Sequence, residues 1–334
     1  LLAVVALLPA VALLAGWLQR KKRSCVESVN FHFNRACNFE CKFCFHTEID
    51  TSMMRLETQK DGLRKLAAAG MRKINFSGGE PLLHKSVVGK LIVFCKDELH
   101  LESVSIVSNG FAADEAWFAK YGHRLDVFAV SCDSFDKVTN LATGRAQKKS
   151  EDQVAIAHKI KALCGKYHVP FKLNSVINAN NVHEDMIASV MELKPVRWKV
   201  FQCLRIEGEN SGSGAHRDLD AVDLEISDAE FEAFVTRHSQ HPFVAGIIKP
   251  EDNAVMRNSY LILDEKMRFL NNTEGDKRPT KSILEIGVKR AAAAAGFDEA
   301  SFVVRDGLYG KQEWTKAHLV QARADLEPLS KTEW

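Results

Sequence analysis

The chain has 334 residues, of which 46% are hydrophobic and 26% are charged. These values exclude a disordered, collagen-like or multi-span membrane protein and are typical of one large α/β domain or two ordinary domains. Lys and Arg number 45 against 43 Asp and Glu, and the net charge of +2 argues against a strongly basic nucleic-acid-binding surface. We therefore expect no nucleic-acid partner, and any anion-binding site must be local.

The N-terminal segment is uniformly apolar. Residues Leu1 to Leu18 carry no charged side chain, and the basic run Arg20 to Arg23 follows them. As a helix, the apolar run would span about 27 Å, close to the thickness of a bilayer's hydrocarbon core. A secretory signal carries its charges before the apolar run, so a cleaved signal is the weaker alternative. We expect residues 1–24 to anchor the chain in the endoplasmic reticulum membrane, with the catalytic part on the cytosolic side.

Residues 25–209 alternate short β-like runs with helical patterns, which predicts βα units around a parallel sheet. Six units are too few for a full eight-stranded barrel, so the expected fold is α/β, a partial (β/α)6 barrel of the TIM type. Residues 210–334 form a mixed C-terminal extension that we expect to close the substrate site. Its first residues, Asn210 to Gly214, are typical of a turn or a flexible linker. The predicted strands are Val26–Phe33, Lys73–Ser77, Ser103–Ser108, Asp126–Ser131, Phe171–Ile177 and Val196–Cys203.

Three of the eight cysteines lie in a C-x3-C-x2-C pattern directly after the first predicted strand. Three thiolates can hold a four-iron cluster and leave one iron open, whereas a structural zinc site fills all four positions. Phe43, between the thiols, helps to exclude water. The alternative is a zinc site completed by His46 or His32. The three cysteines are Cys37, Cys41 and Cys44.

A Gly-Gly-Glu-Pro turn follows the second predicted strand, at Gly78, Gly79, Glu80 and Pro81. Glycines lack a Cβ atom, so the backbone of this turn can approach a ligand closely. Later strand ends carry small polar residues, which would lie at the same rim of the barrel as the cysteines. Those residues are Ser108, Asn109, Ser131 and, in the following loop, Arg145.

Period-two alternation separates an apolar face from a polar face on four of the six predicted strands. Helices cover the outer face of a barrel, so the polar set is expected inside the lumen, which is usually packed with aliphatic residues. About four buried cations there fit a nucleoside triphosphate better than a single carboxylate. The alternatives are internal ion pairs with Glu80, Asp133 or Glu207, or an error of one residue in a strand's register. The inward residues are Asn30, His32, Asn34, Lys73, Asn75, Ser77, Lys172, Asn174, Arg197 and Lys199.

The cysteine spacing and the glycine turn resemble the radical S-adenosylmethionine (radical SAM) superfamily. Longer runs, including Lys73 to Pro81, Pro195 to Leu204 and Ser259 to Glu265, are similar to the viperin-like antiviral enzymes of that superfamily. The resemblance covers most of residues 28–314. It implies that a 5′-deoxyadenosyl radical removes the C4′ hydrogen of CTP or UTP. Loss of the 3′-hydroxyl as water then leaves a chain-terminating 3′-deoxy-3′,4′-didehydro nucleotide.

The same resemblance implies two cofactors, a [4Fe-4S] cluster and S-adenosylmethionine, and assigns residues to each ligand. Tyr260 becomes a candidate proton donor, although a buried core tyrosine is the alternative. Residues expected to contact the cofactor are Phe43, Gly78, Gly79, Glu80, Ser108, Asn109, Ser131 and Arg145. Residues expected to contact the substrate are Asn30, Lys73, Ser77, Lys172, Asn174, Arg197, Lys199, Lys277 and Arg305.

The resemblance also implies partners. The C-terminal Trp334 is expected to engage the cytosolic iron–sulfur assembly machinery, a reductase is expected to supply electrons, and the membrane is that of the endoplasmic reticulum or lipid droplets. Two rival functions stay open. One is a radical enzyme acting on another nucleotide such as GTP, although that family carries a second cluster and no cysteine follows Cys203. The other is a membrane-anchored scaffold that inhibits its partners by binding.

Overall fold

The computed structural model describes residues 26–47, 50–145, 152–212, 221–305 and 307. Its centre is one sheet of eight parallel strands, which pair in the order β7-β6-β5-β4-β3-β2-β1-β8. In chain order the strands are β1 (Ser28–His32), β2 (Lys73–Ser77), β3 (Ser103–Ser108), β4 (Val127–Ser131), β5 (Phe171–Ile177), β6 (Arg197–Gln202), β7 (Ile248–Glu251) and β8 (Ile262–Leu263).

Helices connect successive strands, as parallel pairing requires. A short antiparallel pair, β9 (Leu270–Asn271) and β10 (Arg278–Pro279), lies outside the main sheet. The helices are α1 (Leu56–Ala68), α2 (Lys85–Val93), α3 (Glu115–Tyr121), α4 (Lys137–Ala142), α5 (Gln153–Lys166), α6 (Ile187–Leu193), α7 (Asp228–Ser239), α8 (Pro242–Ile247), α9 (Asn253–Asn258), α10 (Ile283–Ile286), α11 (Val288–Ala294) and α12 (Glu299–Val304).

The predicted partial barrel is confirmed. β2, β3 and β5 have the predicted bounds, and the other three predicted strands are one to three residues shorter. The structure adds β7 and β8, both from the C-terminal extension. Because β7 is an edge strand, it tolerates Pro250, a residue that argues against a strand in the sequence.

The predicted alternation of faces is also confirmed. The strands pair in register, with Asn30 beside Asn75 and Lys172 beside Arg197, so polar residues of neighbouring strands share the inner face. The outer face packs under the helices and forms the hydrophobic core. Asn34 is an exception, because β1 ends at His32 and Asn34 is fully buried beyond it. Core residues of the outer face are Val29, Phe31, Ile74, Phe76, Val104, Ile106, Phe128, Val130, Phe171, Leu173, Trp198 and Val200.

Other expectations are met only partly by the described residues. Asn210 is fully buried, accepts a hydrogen bond from the Ile206 amide at 2.8 Å and donates one to the Leu204 carbonyl at 2.9 Å, so its segment begins as a turn. The predicted anchor, residues 1–24, and Trp334 lie outside the described residues. Within the part of the chain that the structure describes, no helix combines the length and apolar character needed to cross a bilayer.

Candidate active site

A cavity of about 390 Å³ occupies the lumen of the partial barrel. Every predicted site residue except Lys277 lines it, so the sequence motifs and the inward polar residues belong to one site. The lining residues predicted from sequence are Asn30, Cys37, Cys41, Phe43, Cys44, Lys73, Ser77, Gly78, Gly79, Glu80, Ser108, Asn109, Ser131, Arg145, Lys172, Asn174, Arg197, Lys199, Tyr260 and Arg305.

The cavity has two chemically different ends. Lys73, Lys172 and Arg197 stand at or next to the first residues of their strands, which all run in the same direction. They define the cationic end of the lumen. The loop with the three cysteines follows the last residue of β1 and defines the thiol end. Strands of about five residues separate the two ends by about 17 Å.

The thiol end is a tight loop in which Cys41 is buried and Cys37 and Cys44 are half-buried. The amide of Cys44 donates to the carbonyl of Cys41 at 3.0 Å, and the amide of Phe39 donates to Cys37 Sγ at 3.4 Å. Burial raises the pKa of the Cys41 thiol to about 12 and raises those of Cys37 and Cys44 as well. Thiols in such a site become thiolates when a metal ion compensates the charge.

The thiol donor set fits a [4Fe-4S] cluster better than a zinc ion. Among the described residues, no three Cys, His, Asp or Glu side chains converge to hold one metal ion. A four-iron cluster makes no such demand, because each thiolate binds a different iron. His32 and His46, the proposed fourth zinc ligands, pack against each other with ring centroids 4.4 Å apart. Cys37, Cys41 and Cys44 would therefore hold a cluster with one open iron.

The two glycines of the turn are required by close packing of the protein's own backbone. A Cβ atom on Gly78 would lie 2.4 Å from the Asn34 carbonyl oxygen, and one on Gly79 would lie 2.0 Å from that of Ala36. The Gly79 amide donates to Asn34 O at 2.8 Å, and the Glu80 amide donates to Ala36 O at 2.7 Å. The turn thus fastens the chain that leads into the cysteine loop, in addition to lining the cavity.

Glu80 joins the ends of β2 and β3. Its buried carboxylate accepts hydrogen bonds from Ser108 Oγ at 2.7 Å, the Asn109 amide at 2.7 Å and the Leu82 amide at 2.8 Å. Burial raises the pKa of Glu80, although these three bonds favour its charged form. Both carboxylate oxygens therefore already bind protein donors at the rim where S-adenosylmethionine was expected.

Arg145 connects the end of β4 to the cysteine loop. It forms an ion pair with the buried Asp133, and its guanidinium lies 5.2 Å from the centre of the Phe43 ring. The neighbouring Gly144 has φ of +76°, and a Cβ atom there would lie 2.1 Å from the Glu40 carbonyl oxygen. Ser131 completes this side through its carbonyl, which accepts from Gln153 Nε2 at 2.6 Å.

Burial lowers the pKa values of two lysines at the cationic end. Burial, together with Lys199 and Arg197, lowers the pKa of Lys172 well below its usual value. Burial also lowers the pKa of Lys199, to about 8, while the nearby Glu251 opposes this shift. Lys172 makes no ion pair with any described residue, whereas Lys199 pairs with Glu251. Lys73 Nζ donates to the Gly307 carbonyl at 3.5 Å. A polyanion in the lumen would stabilise all of these charges.

Glu251 was missed by the sequence reading. Its carboxylate is almost completely buried and binds Lys199 and the Tyr260 hydroxyl, while Arg305 Nη1 lies 3.9 Å away. The predicted internal ion pairs named Glu80, Asp133 and Glu207, so the pairing expected as an alternative occurs with a different acid. The only signal was a lone Glu after a short apolar run, in a segment that Pro250 made unlike a strand.

Tyr260 lines the cavity and is not a core tyrosine. Lys199 Nζ donates to its hydroxyl at 2.9 Å, and the Arg305 guanidinium lies 3.7 Å from the centre of its ring. Burial raises the pKa of Tyr260 well above its usual value, so the phenol keeps its proton.

Lys277 lies elsewhere. It pairs with Glu209 at 3.1 Å, binds the Phe45 carbonyl and lies 3.1 Å from His46 Nδ1. Arg35, which pairs with both Glu209 and Glu265, completes this buried network. The network ties the segment after the cysteines to the C-terminal extension, and it does not bring Lys277 to the cationic end.

Comparison with known proteins places these features in a family. The family model described as "Radical SAM superfamily" matches residues 31–176. The chain is 51% identical over 305 residues to the S-adenosylmethionine-dependent nucleotide dehydratase RSAD2 of Siniperca chuatsi, covering 90% of this chain and 83% of that protein. It is also 51% identical to the protein of the same name from Danio rerio, covering 87% and 79%. Its fold is similar to that of Streptococcus suis SuiB bound to S-adenosylmethionine, with a TM-score of 0.58, 12% identity, and coverage of 81% of this chain and 67% of that one.

Proposed function

The chain belongs to the family of S-adenosylmethionine-dependent nucleotide dehydratases within the radical SAM superfamily, and from this premise we propose that it removes water from the ribose of CTP or UTP. It is a radical SAM enzyme, whose cofactors are a [4Fe-4S] cluster and S-adenosylmethionine. When bound, these cofactors supply a 5′-deoxyadenosyl radical that removes the C4′ hydrogen atom. The proposed product is a 3′-deoxy-3′,4′-didehydro nucleotide, an antiviral chain terminator.

The observation that carries this proposal is the division of one cavity into a cationic end and a thiol end. The distance between the ends suits a nucleotide lying along the lumen, with its phosphates beside Lys172 and Arg197 and its ribose toward the cysteine loop. Ser77, the last residue of β2, lies on the ribose side of that path. The polarity of the sheet therefore orients the substrate.

The charge of the cationic end suits a triphosphate. Five basic side chains line it and Glu251 lies behind it, so their formal sum is about +4, against about −4 for a nucleoside triphosphate. Bound phosphate would also raise the pKa of Lys172, which burial lowers. Asn30 of β1 and Asn174 of β5 also line the cavity and add amide donors. The five basic residues are Lys73, Lys172, Arg197, Lys199 and Arg305.

Tyr260 is the proposed proton donor. Breaking the C3′–O bond requires one proton and one electron in addition to the radical, and water leaves. In this structure the phenol donates its hydrogen bond to Glu251, so to give its proton to the departing hydroxyl it would have to turn its O–H toward the substrate. The adjacent Lys199 ammonium, which donates to the phenol oxygen, would then stabilise the phenolate that forms.

The direct test is anaerobic reconstitution of the cluster in the full chain. Dithionite, S-adenosylmethionine and each of CTP, UTP, GTP and ATP are then added separately. Mass spectrometry follows 5′-deoxyadenosine and a nucleotide one water lighter than the substrate. We expect dehydration of CTP or UTP only. If the cluster is complete and no nucleotide stimulates 5′-deoxyadenosine formation, the proposal is wrong, and the scaffold function becomes the better explanation.

We also propose a location and partners. The apolar run before Arg20 supports attachment to the cytosolic face of the endoplasmic reticulum or to lipid droplets. The resemblance supports a reductase as electron donor and contact between Trp334 and the cytosolic iron–sulfur assembly machinery. Deleting residues 1–24 should release the chain from microsomes, and deleting Trp334 should lower the iron content in cells without changing turnover after chemical reconstitution. Unchanged microsomal association would contradict the first proposal, and unchanged iron content in cells would contradict the second.

A further inference from the structure

The partial barrel has an open seam, which we define as the gap between its edge strands β7 and β8. The strand order places these two strands at opposite ends of the sheet, and within the described ranges no backbone pairing joins them. β8 contributes only two residues, so few backbone hydrogen bonds hold it to β1. Residues 252–261 join the two strands along the chain, and side-chain contacts add to the closure of the seam.

One carboxylate bridges the seam. Glu251 is the last residue of β7, and Tyr260 lies two residues before β8. The Tyr260 hydroxyl donates to one oxygen of Glu251, while Lys199 of β6 pairs with the other and also donates to the Tyr260 hydroxyl at 2.9 Å. Glu251 is 1% exposed, so water competes little for these bonds.

A second contact from the extension backs Tyr260. Arg305 lies with its guanidinium 3.7 Å from the ring centre and donates to the Ser259 carbonyl at 2.8 and 3.1 Å. The ring is thus held from its face by Arg305 and at its hydroxyl by Glu251 and Lys199. Of these groups, Glu251 alone does not line the cavity, so it reaches the substrate only through its neighbours.

We propose that Glu251 is a positioning residue. By accepting a hydrogen bond from the Tyr260 hydroxyl and pairing with Lys199, it holds the two edges of the seam together and sets Tyr260 in place beside the substrate. We call this set of contacts the clasp. The catalytic part of this inference rests on the proposed dehydration. The structural part, closure of the seam, does not. Glu251 changes no bond of the substrate. It acts by fixing the position of the phenol oxygen and by keeping Lys199 beside it.

The test compares the full-chain variants Glu251→Ala, Glu251→Gln, Tyr260→Phe and the double variant Glu251→Ala/Tyr260→Phe. The matched control is Glu102→Ala, because Glu102 is also an ion-paired carboxylate but pairs with Arg72 on the exposed surface. Cluster content and circular dichroism are checked first. kcat and KM for CTP or UTP are then measured, together with amide hydrogen exchange in β8.

We expect Tyr260→Phe and Glu251→Ala each to lower kcat about 100-fold, with KM changed less than about threefold. The double variant should be no slower than the worse single variant, because both remove the same unit. Glu251→Gln keeps an acceptor oxygen and should recover kcat to within about tenfold of the native chain. Exchange of the Ile262 and Leu263 amides should accelerate about tenfold in Glu251→Ala and stay unchanged in Glu102→Ala.

The positioning role would be overturned if the fall in kcat of the double variant equalled the product of the two single-variant falls. It would also be overturned if Glu251→Ala changed KM alone. Unchanged exchange in β8 would overturn the clasp. If Glu251→Ala loses its cluster, Glu251→Gln and its double variant with Tyr260→Phe carry the same comparison. If the native chain dehydrates no nucleotide, the proposed function fails, and the exchange measurement alone decides whether the clasp exists.

Discussion

The two ends of the lumen are built in opposite ways. At the thiol end, three cysteines within eight residues form a loop that is fastened by backbone contacts, including those of Gly78 and Gly79. At the cationic end, charges as far apart in the chain as Lys73 and Arg197 line one cavity because parallel strands share one register. The position of the cofactor loop therefore depends on local backbone geometry, whereas the proposed substrate position depends on how the whole sheet is assembled.

The largest effect should follow from removing a thiol. Cys41→Ser is expected to abolish cluster incorporation and dehydration, because three ligands leave no spare donor at this end. Iron content and visible absorbance after reconstitution measure this directly. The control is Cys164→Ser, which alters a buried thiol of α5 outside the cavity and should keep the cluster. Equal iron content in both variants would contradict the role of Cys41 as a cluster ligand.

A change at the turn tests whether backbone geometry controls the thiol end. In Gly79→Ala the new Cβ would collide with the Ala36 carbonyl, so we expect about 2–4 kcal/mol of destabilisation and poor cluster binding. Gly165→Ala is the matched control, since open space surrounds that helical position, and stability there should rise by up to about 1 kcal/mol. Denaturant unfolding of both variants measures the difference. Similar unfolding midpoints would contradict the steric explanation.

A substitution at the cationic end should impair binding and leave the cofactor alone. Lys172→Ala is expected to raise KM for the triphosphate about 10- to 100-fold, with normal iron content and kcat within about threefold. Lys85→Ala removes a surface lysine that pairs with Asp114 and should leave KM unchanged. Loss of iron in Lys172→Ala would show that the two ends are not independent.

The smallest expected effect is a pH dependence of the cationic end. Because burial lowers the pKa of Lys199 to about 8, its ammonium form predominates below that pH and disappears above it. The value of kcat/KM, which reports the free enzyme, should fall by up to about tenfold per pH unit above about pH 8. In Lys199→Arg the guanidinium stays charged, so the decline should vanish. A decline that persists in this variant would assign the titration to another group.

Much of the site was predictable because its residues carry local signals. The cysteine spacing and the glycine turn identified the thiol end, and alternation along β2, β5 and β6 identified the inward cations. Glu251 was not predictable, because a single acid after Pro250 has no periodic or motif signal. The sequence also did not indicate that Lys277 lies outside the cavity, since its pairing with Glu209 depends on the fold of the C-terminal extension.

By itself, the sequence determined the family, the cofactor loop, six units of the partial barrel and the inward face of four strands, since motif spacing and period-two patterning are properties of neighbouring residues. Tertiary structure alone decided which charges are paired, how far each lysine's pKa moves and what bridges the open seam. These depend on burial and on distances between residues far apart in the chain, such as Lys199, Glu251 and Tyr260. No local pattern encodes those distances, because they arise only when the sheet curls and brings its two edges together.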